Sequence, residues 1–106
     1  MNIETARFNM IEQQIRPWNV SDPSVLELLS SVKREDFAPA AHKGLAFADL
    51  EIPLLGSHDE ALRLGQCMLA PRLDARLLQD VAVQPHETVL EIGTGPGYMA
   101  ALLARK

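Results

Sequence analysis

The closing stretch of the chain constrains the fold most. Val89-Leu90-Glu91-Ile92 is a short β-rich run, Gly93-Thr94-Gly95-Pro96-Gly97 follows at once, and Tyr98-Met99-Ala100-Ala101-Leu102-Leu103-Ala104 is a strong helix former. Strand, glycine turn and helix in that order make the first half of a βαβ unit, which predicts an α/β fold. Glycines in such a turn let backbone N–H groups and the positive end of the helix approach a ligand without side-chain obstruction.

The spacing narrows the choice of ligand. The glycines stand as G-x-G-x-G at Gly93, Gly95 and Gly97. A dinucleotide fingerprint needs G-x-G-x-x-G, and Tyr98 occupies its third glycine; a P-loop needs a Lys-Ser or Lys-Thr that is missing here. Glu91 lies two residues before the first glycine, at the end of the expected strand. These features favour an adenosyl ligand without a pyrophosphate. A plain strand-to-helix turn, glycine-rich for its backbone shape alone, is the competing explanation.

Upstream, residues 5–16 read as a helix with Met10, Ile11 and Ile15 on one face, stopped by Pro17. Ser21-Asp22-Pro23 is a helix start, a capping oxygen before a proline at the first helical position. Val25, Leu26, Leu28, Leu29 and Val32 continue it as an apolar stripe. Residues 37–64 carry Pro39, Gly44, Pro53 and Gly56 among short apolar groups, and read as loops and short extended pieces. Pro71 opens a third helix with Leu73, Leu77, Leu78 and Val81 on one side.

Composition excludes several classes of partner. With 47% hydrophobic and 23% charged residues the chain resembles soluble globular proteins rather than disordered ones. The net charge is −4 and the ten basic residues are scattered, which argues against a nucleic-acid surface. The lone Cys67 makes neither an internal disulfide nor a multi-cysteine zinc site, and suits a reducing compartment. The first residues lack a signal peptide's basic and apolar regions, and no apolar run nears the ~20 residues that cross a bilayer. A cytoplasmic protein with no membrane partner is expected. His42, His58 and His86 are far apart in sequence and read as surface histidines, so no metal site is expected. Cys67 reads as a small buried residue and Trp18 as a packing anchor between helices. Asp49 fits either a substrate-facing or a merely exposed carboxylate.

The run from Val89 to Tyr98 resembles the first S-adenosylmethionine motif of class I methyltransferases, especially of the protein-L-isoaspartate O-methyltransferases. The resemblance continues upstream, in the family's order. Met10-Ile11-Glu12-Gln13-Gln14-Ile15 is similar to its opening helix, and Val32-Lys33-Arg34-Glu35-Asp36-Phe37-Ala38-Pro39 to its "vpRe-Fvp" segment. Ala46-Phe47-Ala48-Asp49 stands for "AY-D", and Ile52-Pro53-Leu54 follows; Gly65-Gln66 opens the segment usually written G-Q-T-I-S-Q-P, ending at Pro71. The resemblance implies that Glu91, Gly93, Thr94, Gly95 and Gly97 line the methionine and ribose side of S-adenosylmethionine. It implies methyl transfer to the α-carboxylate of an L-isoaspartyl residue, whose ester collapses to a succinimide and opens partly to normal aspartate, repairing damaged protein. Such chemistry asks for alignment and exclusion of water more than for acid–base groups.

The chain departs from that pattern in one loop. Leu69 occupies the position of the family's serine, which contacts the reacting carboxylate, and leucine offers no donor. Cys67 and Ala70 replace the threonine and the glutamine. No catalytic residue is therefore assigned. A divergent methyltransferase with another substrate, or a protein-binding module that keeps the fold, remains open beside the repair enzyme. The ribose-binding acidic residue is expected about 20 residues past the glycine turn, on a following strand, and Lys106 comes first. The expected architecture is thus a truncated one. Residues 1–82 form an N-terminal helical and loop region, and residues 83–106 form the start of a Rossmann-like cofactor core. Its single strand is expected to leave the chain unstable alone or self-associating.

Overall fold

The computed structural model describes residues 2–93 and 95–106. Helix α1 (Ile3–Met10) starts at Asn2, whose side-chain oxygen accepts the Thr5 N–H at 3.1 Å. Pro17 does not stop the run as expected. The backbone continues through a π turn over Ile11–Ile15 and a 3-10 turn over Arg16–Trp18 that contains the proline. A proline near the start of a helical turn withholds an N–H that has no partner there anyway. The stop is Asn19, left-handed at φ 61, a conformation its short polar side chain tolerates. Met10, Ile11 and Ile15 are buried together, as the spacing predicts.

Helix α2 (Pro23–Ser31) begins as its sequence predicts, with Asp22 accepting the Ser24 N–H at 2.9 Å and Pro23 in the first turn. Val25, Leu28 and Leu29 bury its inner face, and Val32 follows them into the core. A short 3-10 turn over Arg34–Asp36 precedes the region expected to be loops, which holds another over Ala40–Leu45 and strand β1 (Ile52–Pro53). That region also holds a helix that the proline and glycine content obscured. In α3 (His58–Leu64) the Ser57 oxygen accepts the Glu60 N–H at 3.2 Å, and Gly65 closes the helix at φ 72. Ser57-His58-Asp59-Glu60 is the S-x-x-E of a capping box, which could have announced it. Strand β2 (Cys67–Met68) pairs antiparallel with β1, placing Met68 opposite Ile52.

Helix α4 (Pro71–Val81) forms where expected but turns a different side inward. Pro71, Asp74, Ala75 and Leu78 are its buried positions, while Leu77 and Val81 are 48% and 64% exposed. Gln79 fastens it to the α1–α2 connection: its Oε1 accepts the Ser21 and Asp22 N–H groups, and its Nε2 donates to the Asn19 carbonyl at 2.8 Å. Helix α5 (Tyr98–Ala104) closes the chain. One apolar cluster runs from Met10 and Ile15 through Leu29, Ile52, Met68 and Leu78 to Tyr98 and Leu102 on α5.

The observed fold is therefore helix-rich, with one two-stranded antiparallel sheet, and is compatible with an α/β class. The strand expected at residues 89–92 is not formed. Leu90 and Ile92 are 85% and 88% exposed. A strand exists only through the hydrogen bonds of a neighbour, and among the described residues none lies beside this run. No described helix is long and apolar enough to cross a membrane.

Candidate cofactor site beside a buried arginine

Arg34 is wholly buried, and every part of its guanidinium is engaged. Nε donates to the Ala46 carbonyl at 2.7 Å, Nη2 to the Leu69 carbonyl at 2.6 Å, and Nη1 to Asp74 Oδ2 at 3.1 Å. Its central carbon lies 5.0 Å from the centre of the Tyr98 ring. One side chain thus joins the turn after α2, the turn before β1, the loop entering α4, α4 itself and the start of α5. Only arginine presents a rigid planar fork of donors that also stacks on an aromatic face. A second arginine works nearby in the same manner. Arg7 grips Glu35 with two bonds of 2.8 and 2.9 Å, also bonds Glu4, and lies over Phe47. Its hydrogen bonds, helped by its charge, hold both carboxyls below the usual range.

The elements joined by Arg34 frame a cavity of about 120 Å³ against the glycine turn. Cys67, Leu69, Asp74, Glu91, Gly93, Gly95 and Tyr98 are among its lining residues. Burial pushes the Asp74 carboxyl up to about 6, against the pull of Arg34 and with the help of the Glu91 charge. Burial likewise pushes the Tyr98 phenol up to about 12, again against Arg34. The Tyr98 hydroxyl and Glu91 Oε1 are buried without a hydrogen-bond partner. Orphaned buried polar atoms are rare and call for an explanation, such as a water, an ion or a ligand.

The glycine turn itself is open. Gly93, Gly95 and Gly97 all have positive φ, at 71, 56 and 85. A Cβ at Gly93 or Gly97 would meet nothing within 4 Å, and one at Gly95 only the Leu54 side chain at 3.6 Å. Backbone shape, not crowding by this chain, demands these glycines, and the turn presents bare backbone outward. Glu91 borders a second, larger hollow of about 530 Å³, with Val83, Gln84, Val89 and Lys106 among its other walls.

The residues proposed from sequence fall as follows. Glu91, Gly93 and Gly95 line the smaller cavity; Gly97 leads into α5, and Thr94 lies outside the described residues. Leu69, at the serine position, also lines the cavity, with its side chain 40% exposed and its carbonyl held by Arg34. Cys67 is half-buried in the cavity wall rather than fully buried. Asp49 is exposed and accepts from Arg72 at 3.3 Å, away from the cavity lining. Trp18 is 40% exposed, with the Arg72 guanidinium 4.4 Å from its ring. Among the described residues no three of the His, Cys, Asp and Glu side chains gather to hold a metal.

Sequence reasoning missed Arg34, Asp74 and Tyr98 as a unit. The signal for Asp74 was present: Pro71, Asp74, Ala75 and Leu78 follow the i, i+3, i+4, i+7 spacing of one buried face. A carboxylate on such a face needs a cationic partner. Nothing in the spacing points to Arg34, forty positions away in sequence, as that partner.

The family profile described as protein-L-isoaspartate (D-aspartate) O-methyltransferase matches residues 5–106 in a single run. The chain belongs to this family. Among curated proteins it is 36% identical over 98 residues to the protein-L-isoaspartate O-methyltransferase of Herpetosiphon aurantiacus, covering 92% of this chain and 40% of that relative. It is 39% identical over 99 residues to the enzyme of that name from Aeropyrum pernix, covering 93% of this chain and 35% of the relative. A third, from Koribacter versatilis, is 37% identical over 97 residues, again 40% of its length. The chain spans about 40% of the first of these methyltransferases. The family match includes the loop at Leu69, the Arg34 segment and the glycine turn, so the cavity is built wholly from matched residues.

Proposed function

We propose that this protein acts in methyl transfer from S-adenosylmethionine to the carboxylate of an isoaspartyl residue in damaged protein, and works in the cytoplasm. The observation that carries the reading is the unbroken family match over residues 5–106, which takes in the glycine turn. On this reading residues 83–106 are the start of a Rossmann-like cofactor core, and residues 1–82 are the layer that packs against it.

The residues present fit an adenosyl cofactor in kind. Glu91, Gly93, Thr94, Gly95 and Gly97 would hold it. Glu91 Oε1 is a buried acceptor without a donor, as a ligand hydroxyl or ammonium requires. The open glycine turn leaves backbone free for close approach. The cavity of about 120 Å³ is smaller than the ~300–1,000 Å³ that encloses a drug-sized ligand, so these residues hold one end of the cofactor. When bound, the cofactor would supply an activated methyl group on a cationic sulfur. The chain's own task is to fix positions. Arg34 holds the Leu69 carbonyl and the Tyr98 ring at once, which sets the loop at the serine position against the glycine turn.

A second reading, a methyltransferase with another substrate, is favoured by one observation. The cavity wall shared by Leu69 carries the Asp74 and Glu91 carboxyls, and Leu69 adds no donor for an incoming carboxylate. The two readings separate in one assay. The complete product of the gene is given labelled S-adenosylmethionine with an isoaspartyl peptide or its normal aspartyl twin. Labelling of the isoaspartyl peptide alone is expected. Bound cofactor without transfer to either peptide would move the function to another substrate, and absence of cofactor binding would leave the non-catalytic, protein-binding role.

A further inference from the structure

We infer that Cys67 is a modification site: a low-molecular-weight disulfide exchanges onto its sulfur, and the group left there closes the cofactor cavity. This rests on the cofactor reading above and adds to it a reversible control of the same site. Placement carries it. Cys67 and Leu69 stand on either side of Met68, and side chains alternate along an extended segment. Met68 turns into the core at 2% exposed, opposite Ile52, while Cys67 stays half-buried and borders the cavity with Leu69. The segment is held at both ends: the Leu54 N–H donates to the Gln66 carbonyl at 2.9 Å, and Arg34 Nη2 donates to the Leu69 carbonyl at 2.6 Å. Cys67 therefore belongs to a fixed wall. Gly93 and Gly95 line the same cavity and bring no side chain to fill it. Within about 120 Å³, a substituent on the sulfur takes up space that the end of the cofactor needs.

That this space receives a ligand has support of its own. Tyr98 borders it, is 2% exposed, and its hydroxyl is buried without a hydrogen-bond partner among the described residues. Buried polar atoms ordinarily have partners, so this one points to an occupant. Cys67 is the chain's lone thiol, and it stands on that wall. The exchange balances with the small disulfide as its sole co-reactant. The Cys67 thiol gives its proton to solvent and its sulfur attacks one sulfur of the reagent; the reagent's S–S bond breaks as the new S–S bond to Cys67 forms. The displaced thiolate leaves with the electron pair. Cys67 is thereby oxidised and half of the reagent reduced, and an excess of small thiol runs the exchange backwards. A wholly buried cysteine would be inert, and one far from the cavity would react without consequence for the cofactor. At position 67 the cofactor and the added group compete for one space, so each excludes the other.

The test treats the unaltered chain with a chromogenic aromatic disulfide, dithiobis(nitrobenzoate), with and without S-adenosylmethionine. One coloured thiolate per chain is expected, because the sequence holds one cysteine. Cofactor at about ten times its dissociation constant leaves roughly one site in eleven free, so the reaction should slow about tenfold. Calorimetry on the modified chain should find no cofactor binding at concentrations that saturate the unmodified one, and a small dithiol should restore it. Circular dichroism should be unchanged by the modification. In Cys67→Ser the affinity, whatever its value, should be the same before and after the reagent. A thiol that reacts equally fast with and without bound cofactor, or only after denaturation, would overturn the inference. So would a modified chain that binds cofactor as before, or one that unfolds. In each of these cases binding by the unmodified chain leaves the cofactor reading intact. An unmodified chain that binds no cofactor would overturn that reading, and the inference with it.

Discussion

The segments that meet around Arg34 and the run of residues 83–92 flank the same glycine turn, yet they are held in unlike ways. The first is tied by directional bonds. Arg34 alone reaches two carbonyls, a carboxylate and an aromatic ring, and Gln79 and Arg7 add further cross-links between distant parts of the chain. The second is loosely engaged even where it is apolar: Val89, Leu90 and Ile92 are 45%, 85% and 88% exposed. Hydrophobic content therefore does not decide which part of this chain is ordered by its neighbours. A charged residue became the hub because it could satisfy four partners at once, whereas β-branched residues without an adjacent strand had no ladder to join.

The sharpest way to break this contrast is to remove the hub. Arg34→Met keeps much of the side chain's volume but leaves Asp74 buried without its cation and two carbonyls without a donor. Breaking a buried pair in this way costs about 3–5 kcal/mol, a large part of what a domain of this size has. The loss should be smaller near pH 5 than near pH 7.5, because Asp74, already pushed up to about 6, then enters the fold neutral. Arg63→Met, at an exposed position on α3, should shift stability by no more than about 0.5 kcal/mol. Chemical denaturation of both variants at the two pH values checks this. A loss for Arg34→Met no larger than for Arg63→Met would mean that packing, not the arginine, joins the segments.

A milder change examines the orphaned hydroxyl at the border of the two regions. Tyr98→Phe removes a buried O–H that has no partner while keeping the ring against Arg34 and Phe37. An unpaired buried group carries a desolvation penalty of about 1–3 kcal/mol, so its removal should leave the chain equally stable or up to about 1 kcal/mol more stable. If Tyr98→Phe is instead destabilising, the hydroxyl has a partner in solution, such as a bound water. Thermal melts compare the two directly.

How much of this could be read from the sequence differs between the same two regions. The starts of α2 and α4 were legible because Asp22-Pro23 and Pro71 act locally, within a few residues of the element that they begin. The glycine turn was legible for the same reason: positive φ at Gly93, Gly95 and Gly97 is a property of those residues. α3 was missed although its capping serine and glutamate lie three apart, because the surrounding glycines and prolines outweighed them. The Arg34–Asp74 pair spans forty positions, and no local rule chooses between ten basic residues as the partner of one buried aspartate. The strand expected at residues 89–92 shows the opposite error. β-propensity describes how well a side chain suits a pleated, half-buried surface, and here no second strand supplies that surface.

That last point yields the smallest expected effect and the cleanest discrimination. The double substitution Leu90→Ser and Ile92→Ser replaces two side chains that are 85% and 88% exposed. Exposed positions away from caps, cores and networks shift stability by no more than about 0.5 kcal/mol, so denaturation midpoints of the variant and the unaltered chain should nearly coincide. Sedimentation of both at high and low protein concentration gives the second reading. If the variant loses several times that amount, or if a concentration-dependent species of the unaltered chain vanishes with it, then Leu90 and Ile92 are covered in solution. Residues 83–92 would then be held by burial after all, and the division into a bonded region and an unsupported one would not survive.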